Sequence, residues 1–133
     1  MVETVALIVA ALFALLALFQ MALALGAPWG AHAYGGRVVQ EDGTLPAKWR
    51  AASGIAAVIL VVFGWVMLAR GGVVDSSVDE TLLTVLAWMV VAYMAINTAM
   101  NLSSKDAIEQ WLMGSITGAI VILGAIVAAA GPA

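Results

Sequence analysis

The chain has 133 residues, 65% of them hydrophobic and 10% charged, with a formal net charge of −3. A soluble domain carries about a quarter charged residues, so the composition excludes an ordinary water-soluble globule, and the five scattered Lys and Arg exclude a nucleic-acid-binding patch. Cysteine is absent, which excludes disulfides, thiol chemistry and Cys-ligated metals.

Four uncharged apolar runs follow one another, at 5–26, 51–69, 82–100 and 111–130. Each is close to the ~20 residues that a helix needs to cross a bilayer. In hydrocarbon every backbone polar group must be paired internally, so the runs read as helices. The predicted fold is all-α: one integral membrane four-helix bundle over 1–133, with helices at about 4–26, 47–70, 79–101 and 105–130. The order is up-down-up-down, with both termini on the same side.

The first run lacks the Lys or Arg that would open a signal peptide, and it exceeds the roughly 7–15 apolar residues of one. Although Ala22-Leu23-Ala24 offers a small-x-small site, a retained first helix is the better reading. Gly26-Ala27-Pro28 ends that helix. The longest connection follows, 27–45, carrying Trp29, His32, Tyr34 and Gly35-Gly36. Asp42-Gly43 is a turn signal that could close a short hairpin. Pro46 suits the first turn of the second helix, which runs to Arg70-Gly71-Gly72. Ser77-Val78-Asp79-Glu80 has capping-box spacing for the third helix. Ser103-Ser104-Lys105-Asp106 is a weaker cap for the fourth, which would enter the membrane near Trp111. Gly131-Pro132 ends it.

The first and third connections hold Arg37, Lys48, Arg50 and Lys105, whereas the opposite face holds Arg70 alone. The positive-inside rule then puts the first and third connections in the cytoplasm and both termini outside. The expected location is the cell membrane, multi-pass.

Polar residues collect at one level. Gln20, Ser53, Asn97, Thr98, Asn101, Ser115 and Thr117 all fall in the half nearest the first and third connections. Two readings compete. One is a polar pocket on the loop-rich face, with Gln20, Asn97 and Asn101 binding a headgroup, a small solute or a partner helix. The simpler one is interhelical hydrogen bonding, at about 0.6 kcal/mol per contact. His32 is the only histidine. With no carboxylate at ligand spacing it reads as an interfacial loop residue, and no metal or other cofactor is expected. Trp29, Tyr34, Trp49 and Trp111 read as an aromatic belt, although a lipid or quinone site could use such rings. Ala6, Ala10 and Ala14 form a small-residue stripe. Gly114 and Gly118 make a G-x-x-x-G that suits packing within or between subunits.

The helical runs hold no Asp, Glu, Lys, Arg or His. Proton-coupled transporters normally carry an intramembrane carboxylate. No nucleophile–base pair, metal-ligand cluster or phosphate-binding glycine loop is apparent. An enzyme would need His32 brought to Glu41 or Asp42.

Residues 19–30, with Leu25-Gly26-Ala27-Pro28-Trp29-Gly30 at their end, form a distinctive segment. Tyr34-Gly35-Gly36, Leu45-Pro46, Gly72-Val73-Val74-Asp75, and Asn97 through Ser104 followed by Glu109 and Trp111 add to it. Together they resemble a group of small four-helix membrane proteins of actinobacteria and other bacteria. The resemblance implies an architecture and no mechanism, and its matching segments mark the loop-rich end. The expected function is non-enzymatic: an accessory, assembly or interaction subunit in the lipid bilayer. Its partner would be another membrane component or a second copy of itself. The alternative is a small transporter or binding protein for a lipid or neutral solute.

Overall fold

A computed structural model describes residues 1–132. Among them are four α-helices and no strand. The helices are α1 (Val2–Ala24), α2 (Ala47–Arg70), α3 (Glu80–Leu102) and α4 (Gly114–Ala130). A π-helical segment, Ile108–Met113, leads directly into α4. Four helical stretches, counting Ile108–Ala130 as one, are long and apolar enough to cross a membrane.

Local chemistry sets the helix ends. Beyond α1, the Gly26 N–H donates to the Leu23 carbonyl and the Ala27 N–H to that of Ala22, with Gly26 at φ 101°. This left-handed stop favours glycine. The end of α2 repeats it: Gly72, at φ 78°, donates to Ala69 and Val73 to Leu68. Pro46 stands one residue before α2, in extended geometry, instead of inside the first turn. The α3 cap differs from the sequence expectation. Asp79, not Ser77, accepts the N–H groups of Thr81 and Leu82, which frees Glu80 to turn to Arg70. In the first connection, Asp42 does make a turn, accepting the Thr44 hydroxyl at 2.7 Å and its N–H at 3.0 Å, but no strand pairing follows.

The α1 helix packs most extensively on α2, and α3 on α4. Val9 and Phe13 of α1, Leu60 and Met67 of α2, Val90 and Met94 of α3, and Ile120 and Val127 of α4 make the core. Phe13, Phe63 and Tyr93 meet edge to face across three helices. A second, smaller core joins Leu23, Ala33 and Leu45 to Phe19, Tyr34, Val38 and Trp49. The first connection is therefore an ordered cap with its own apolar packing.

Small residues serve this packing. Gly64 faces Ala10 and Phe13, Gly71 faces Ala6, Gly114 faces Leu102, and Gly118 faces Thr98. The G-x-x-x-G of α4 thus lies against α3 inside the molecule. Ala6 is buried, but Ala14 of the same stripe is exposed. The outer faces are apolar too: Leu18, Ile55, Val58, Met89, Ile96 and Ile122 are all exposed.

Candidate functional site

The loop-rich end is built around the entry to α4. A π turn closes its hydrogen bond over five residues instead of four, here from the Gly114 N–H to the Glu109 carbonyl, and so widens the turn. Glu109 stands five residues before the buried Gly114, so the π turn brings it onto the inward face. Trp111, which α-helical spacing would turn inward, stays 63% exposed.

Glu109 is only 8% exposed. Its Oε1 accepts the Ser104 hydroxyl at 2.6 Å and the Gly35 N–H at 3.0 Å. A buried carboxylate is costly unless hydrogen-bonded, and these donors, the Ser104 one charge-assisted and short, meet that need. The backbone aims the Gly35 N–H. Tyr34, Gly35 and Gly36 all have positive φ, at 53°, 71° and 71°. For a bulky side chain such as Tyr34 that conformation is strained. Two contacts hold it: the Tyr34 hydroxyl meets Ser53 Oγ at 2.9 Å, and its ring packs on Trp49 with centroids 4.8 Å apart.

Asp106 lies just ahead of Glu109. Its Oδ2 accepts the Glu109 N–H at 2.9 Å and contacts His32 Nδ1 at 2.9 Å. Burial opposes the charge on Asp106, but the Glu109 amide and His32 outweigh it and hold the carboxyl below its ordinary 3.8. Because an ionised carboxylate only accepts, His32 Nδ1 is the donor. The neutral ring then presents its lone pair at Nε2. The sequence reading of an isolated histidine is corrected here. Its partner is neither Glu41 nor Asp42 but Asp106, 74 residues away, and Asp42 is engaged with Thr44.

The polar level resolves into separate parts. Asn101 donates to Asn97 Oδ1 at 3.1 Å and to Thr117 Oγ1 at 3.4 Å, tying α3 to α4. Gln20 is on the inward stripe of α1 with Phe13, Leu16 and Ala17, and its buried Oε1 has no hydrogen-bond partner. Trp29 stacks on Phe19 at 6.2 Å with planes 5° apart.

Two apolar grooves open on the outside and reach none of these amides. One, of about 480 Å³, runs between α1 and the start of α4, past Leu15, Phe19, Ala22, Trp29, Leu112 and Ile116. The other, of about 450 Å³, runs between α1 and α2 past Ala14, Ala17, Met21, Ala57 and Val61.

Sequence reasoning missed Ser104, Asp106 and Glu109 as site residues, and Arg50 and Arg70 as anchors. Arg50 Nε donates to the Ala24 carbonyl at the end of α1. Arg70, 9% exposed, donates twice to the Ala128 carbonyl, at 3.2 and 2.9 Å. In the sequence Asp106 reads only as part of a cap for the fourth helix, and Glu109 only as part of the segments that carry the resemblance.

Comparison with protein-family models, curated proteins and solved structures gives no match.

Proposed function

We propose that this chain is a multi-pass cell-membrane protein that works without catalysis, by binding another membrane component through its lipid-facing surface. The carrying observation is the contrast between a committed interior and an apolar, grooved exterior. Only 28–33% of each candidate span is buried within the bundle. Exposed apolar patches of that extent call for lipid or a partner. A stretch of 23 residues is about 35 Å long, enough for a hydrocarbon core of about 30 Å. The bundle runs up-down-up-down with both termini outside, and the cationic first and third connections are cytoplasmic. The resemblance to the small bacterial four-helix group fits the same reading.

The interior supports binding over chemistry. The Ser104 hydroxyl is committed to Glu109, away from His32. The test is gentle extraction into lipid nanodiscs, followed by mass measurement of what stays bound. A defined protein or lipid-soluble partner is expected. A bare monomer with no retained component would overturn the proposal.

One observation favours a second reading, transport or binding of a neutral solute: the unpaired Gln20 Oε1 inside the bundle. Changing Gln20, Asn97 and Asn101 to Leu together would abolish such binding; uptake unaltered by the triple variant would remove this reading.

A further inference from the structure

We infer that Glu109 is a proton-binding site at the start of the fourth membrane span, and that its charge sets how firmly the first connection is fastened to the bundle. The inference needs the fourth helix to span the membrane and is independent of what the outer surface binds.

The first observation is where the carboxylate lies. In the sequence the last apolar run begins only after Glu109, but the helix long enough to cross is Ile108–Ala130, so Glu109 enters the span directly behind its first residue. An ionisable group within a span is expensive and marks proton, ion or partner sites. Glu3, Glu41 and Glu80 are all exposed, whereas Glu109 is buried.

The second is that no cation pairs with it. Among the described residues the ion pairs are His32–Asp106 and Arg70–Glu80. The other charged and titratable groups at this end have their own places. In the first connection, Asp106 holds His32, Ser53 holds Tyr34, and Arg37 packs on Gly35. At the start of α2, Lys48 lies over the Trp49 ring and Arg50 binds the Ala24 carbonyl. Ahead of the π segment, Lys105 is exposed, and Asp106 puts a second carboxylate on the Glu109 N–H. The charge on Glu109 therefore depends on its hydrogen bonds alone.

The third is how those bonds are shared. The Ser104 hydroxyl at 2.6 Å and the Gly35 N–H at 3.0 Å both reach Oε1, whereas Oε2 meets only the Gly35 N–H, at 3.4 Å. One proton taken from water by Oε2 forms the O–H bond of a neutral acid. Oε1 is then a carbonyl oxygen, with two lone pairs for the same two donors. The frame can stay as it is: Ser104 Oγ accepts the Asp106 N–H at 3.2 Å, and Asp106 Oδ2 accepts the Glu109 N–H at 2.9 Å. Loading the proton keeps both bonds and removes the charge that makes them roughly twice as strong as neutral ones.

Gly35 carries that change into the first connection. It follows Tyr34, whose φ of 53° is strained for so large a side chain. A weaker bond at Gly35 loosens this stretch, while the His32–Asp106 contact and the core of Leu23, Ala33 and Leu45 keep it on the bundle.

The experiment uses the full chain in phosphatidylcholine nanodiscs, with glutamate labelled by ¹³C at the side-chain carboxyl. Infrared difference spectra are taken over the pH range in which the fold persists. A protonated-carboxyl band that moves with the label, survives combined Glu3→Gln, Glu41→Gln and Glu80→Gln, and vanishes in Glu109→Gln is the expected result. Hydrogen-exchange protection at Gly35 should fall several-fold as the band appears. In Glu109→Gln it should be low throughout and lose that step. The step should persist in Asp106→Asn, which removes the acid response of the His32–Asp106 pair. Ser104→Ala, which keeps the carboxyl, should shift the midpoint of the band and serves if Glu109→Gln fails to fold. A chain with no Glu109 band at any of these pH values overturns the inference. So does a band whose appearance leaves Gly35 protection unchanged, or a Gly35 step that Glu109→Gln retains and Asp106→Asn abolishes. A partner retained in the mass measurement while the band is missing would sink this site and leave the proposed function standing.

Discussion

The two ends of the bundle are held together in opposite ways. At the loop-rich end, several modest joints share the work: His32 to Asp106, Gly35 and Ser104 to Glu109, Tyr34 to Ser53, and Asn101 to Thr117. At the other end, one side chain does most of it. Arg70, at the last position of α2, binds the Ala128 carbonyl near the end of α4 and reaches Glu80 at 3.2 Å. A cation at a helix C-terminus meets the negative end of the helix dipole and an orphan carbonyl together. A joint concentrated in one residue is easily lost. A joint spread over four positions keeps its place when one is removed.

The largest effect is expected from Arg70→Met. It removes charge-assisted hydrogen bonds from a buried site and leaves a carbonyl unpaired, a loss of about 2–3 kcal/mol. Glu80 is 69% exposed, so its ion pair contributes little of this. Denaturant titration in mixed micelles measures the loss, and hydrogen exchange should localise it to residues 127–130. Faster exchange at Gly35 as well would show that the ends are not independent.

Glu109→Gln should come next, at about 1–2 kcal/mol, since the amide keeps one acceptor oxygen but loses the charge that the Ser104 hydroxyl and Gly35 N–H meet. Exchange should rise at Gly35 and stay constant at the end of α4. Tyr34→Phe should cost less, about 0.5–1 kcal/mol. Its ring still packs on Trp49, and the freed Ser53 hydroxyl can turn to a carbonyl of its own helix. If Tyr34→Phe instead cost as much as Arg70→Met, the distributed picture of the loop-rich end would fail.

The helices were legible because each is a long apolar run closed by local signals. Gly26 and Gly72 occur in the sequence where a left-handed stop is needed, and α2 begins one residue past Pro46. The site was legible only in part. Asn97 and Asn101 are one helical turn apart, and that spacing gave their contact. Nothing local could announce His32 with Asp106, or Gly35 with Glu109, because each pair is separated by 74 residues. Those pairings depend on how the first connection folds back over the bundle and on the π turn before α4, neither of which leaves a periodic trace. Arg70 and Arg50 were counted as charges that orient the chain, whereas in the fold they also close helix ends.

The smallest effect expected is one of pH, and its sign separates the two ends. The Asp106 carboxyl is held below its ordinary 3.8 by the Glu109 amide and His32, against the cost of its partial burial. Such a group stabilises the fold above its unfolded value, and that contribution is lost as pH falls through the lower folded value. Acidification from pH 5 to pH 3 should therefore loosen the His32–Asp106 contact. The Arg70 joint to the Ala128 carbonyl involves no carboxylate and should hold. Comparing exchange at residues 32–35 with exchange at residues 127–130 across this range reads both ends in one experiment. Asp106→Asn should flatten part of the acid response at 32–35 and leave 127–130 unchanged. Equal acid loosening at both ends, unaltered by Asp106→Asn, would mean that the first connection is held by its apolar core of Leu23, Ala33 and Leu45.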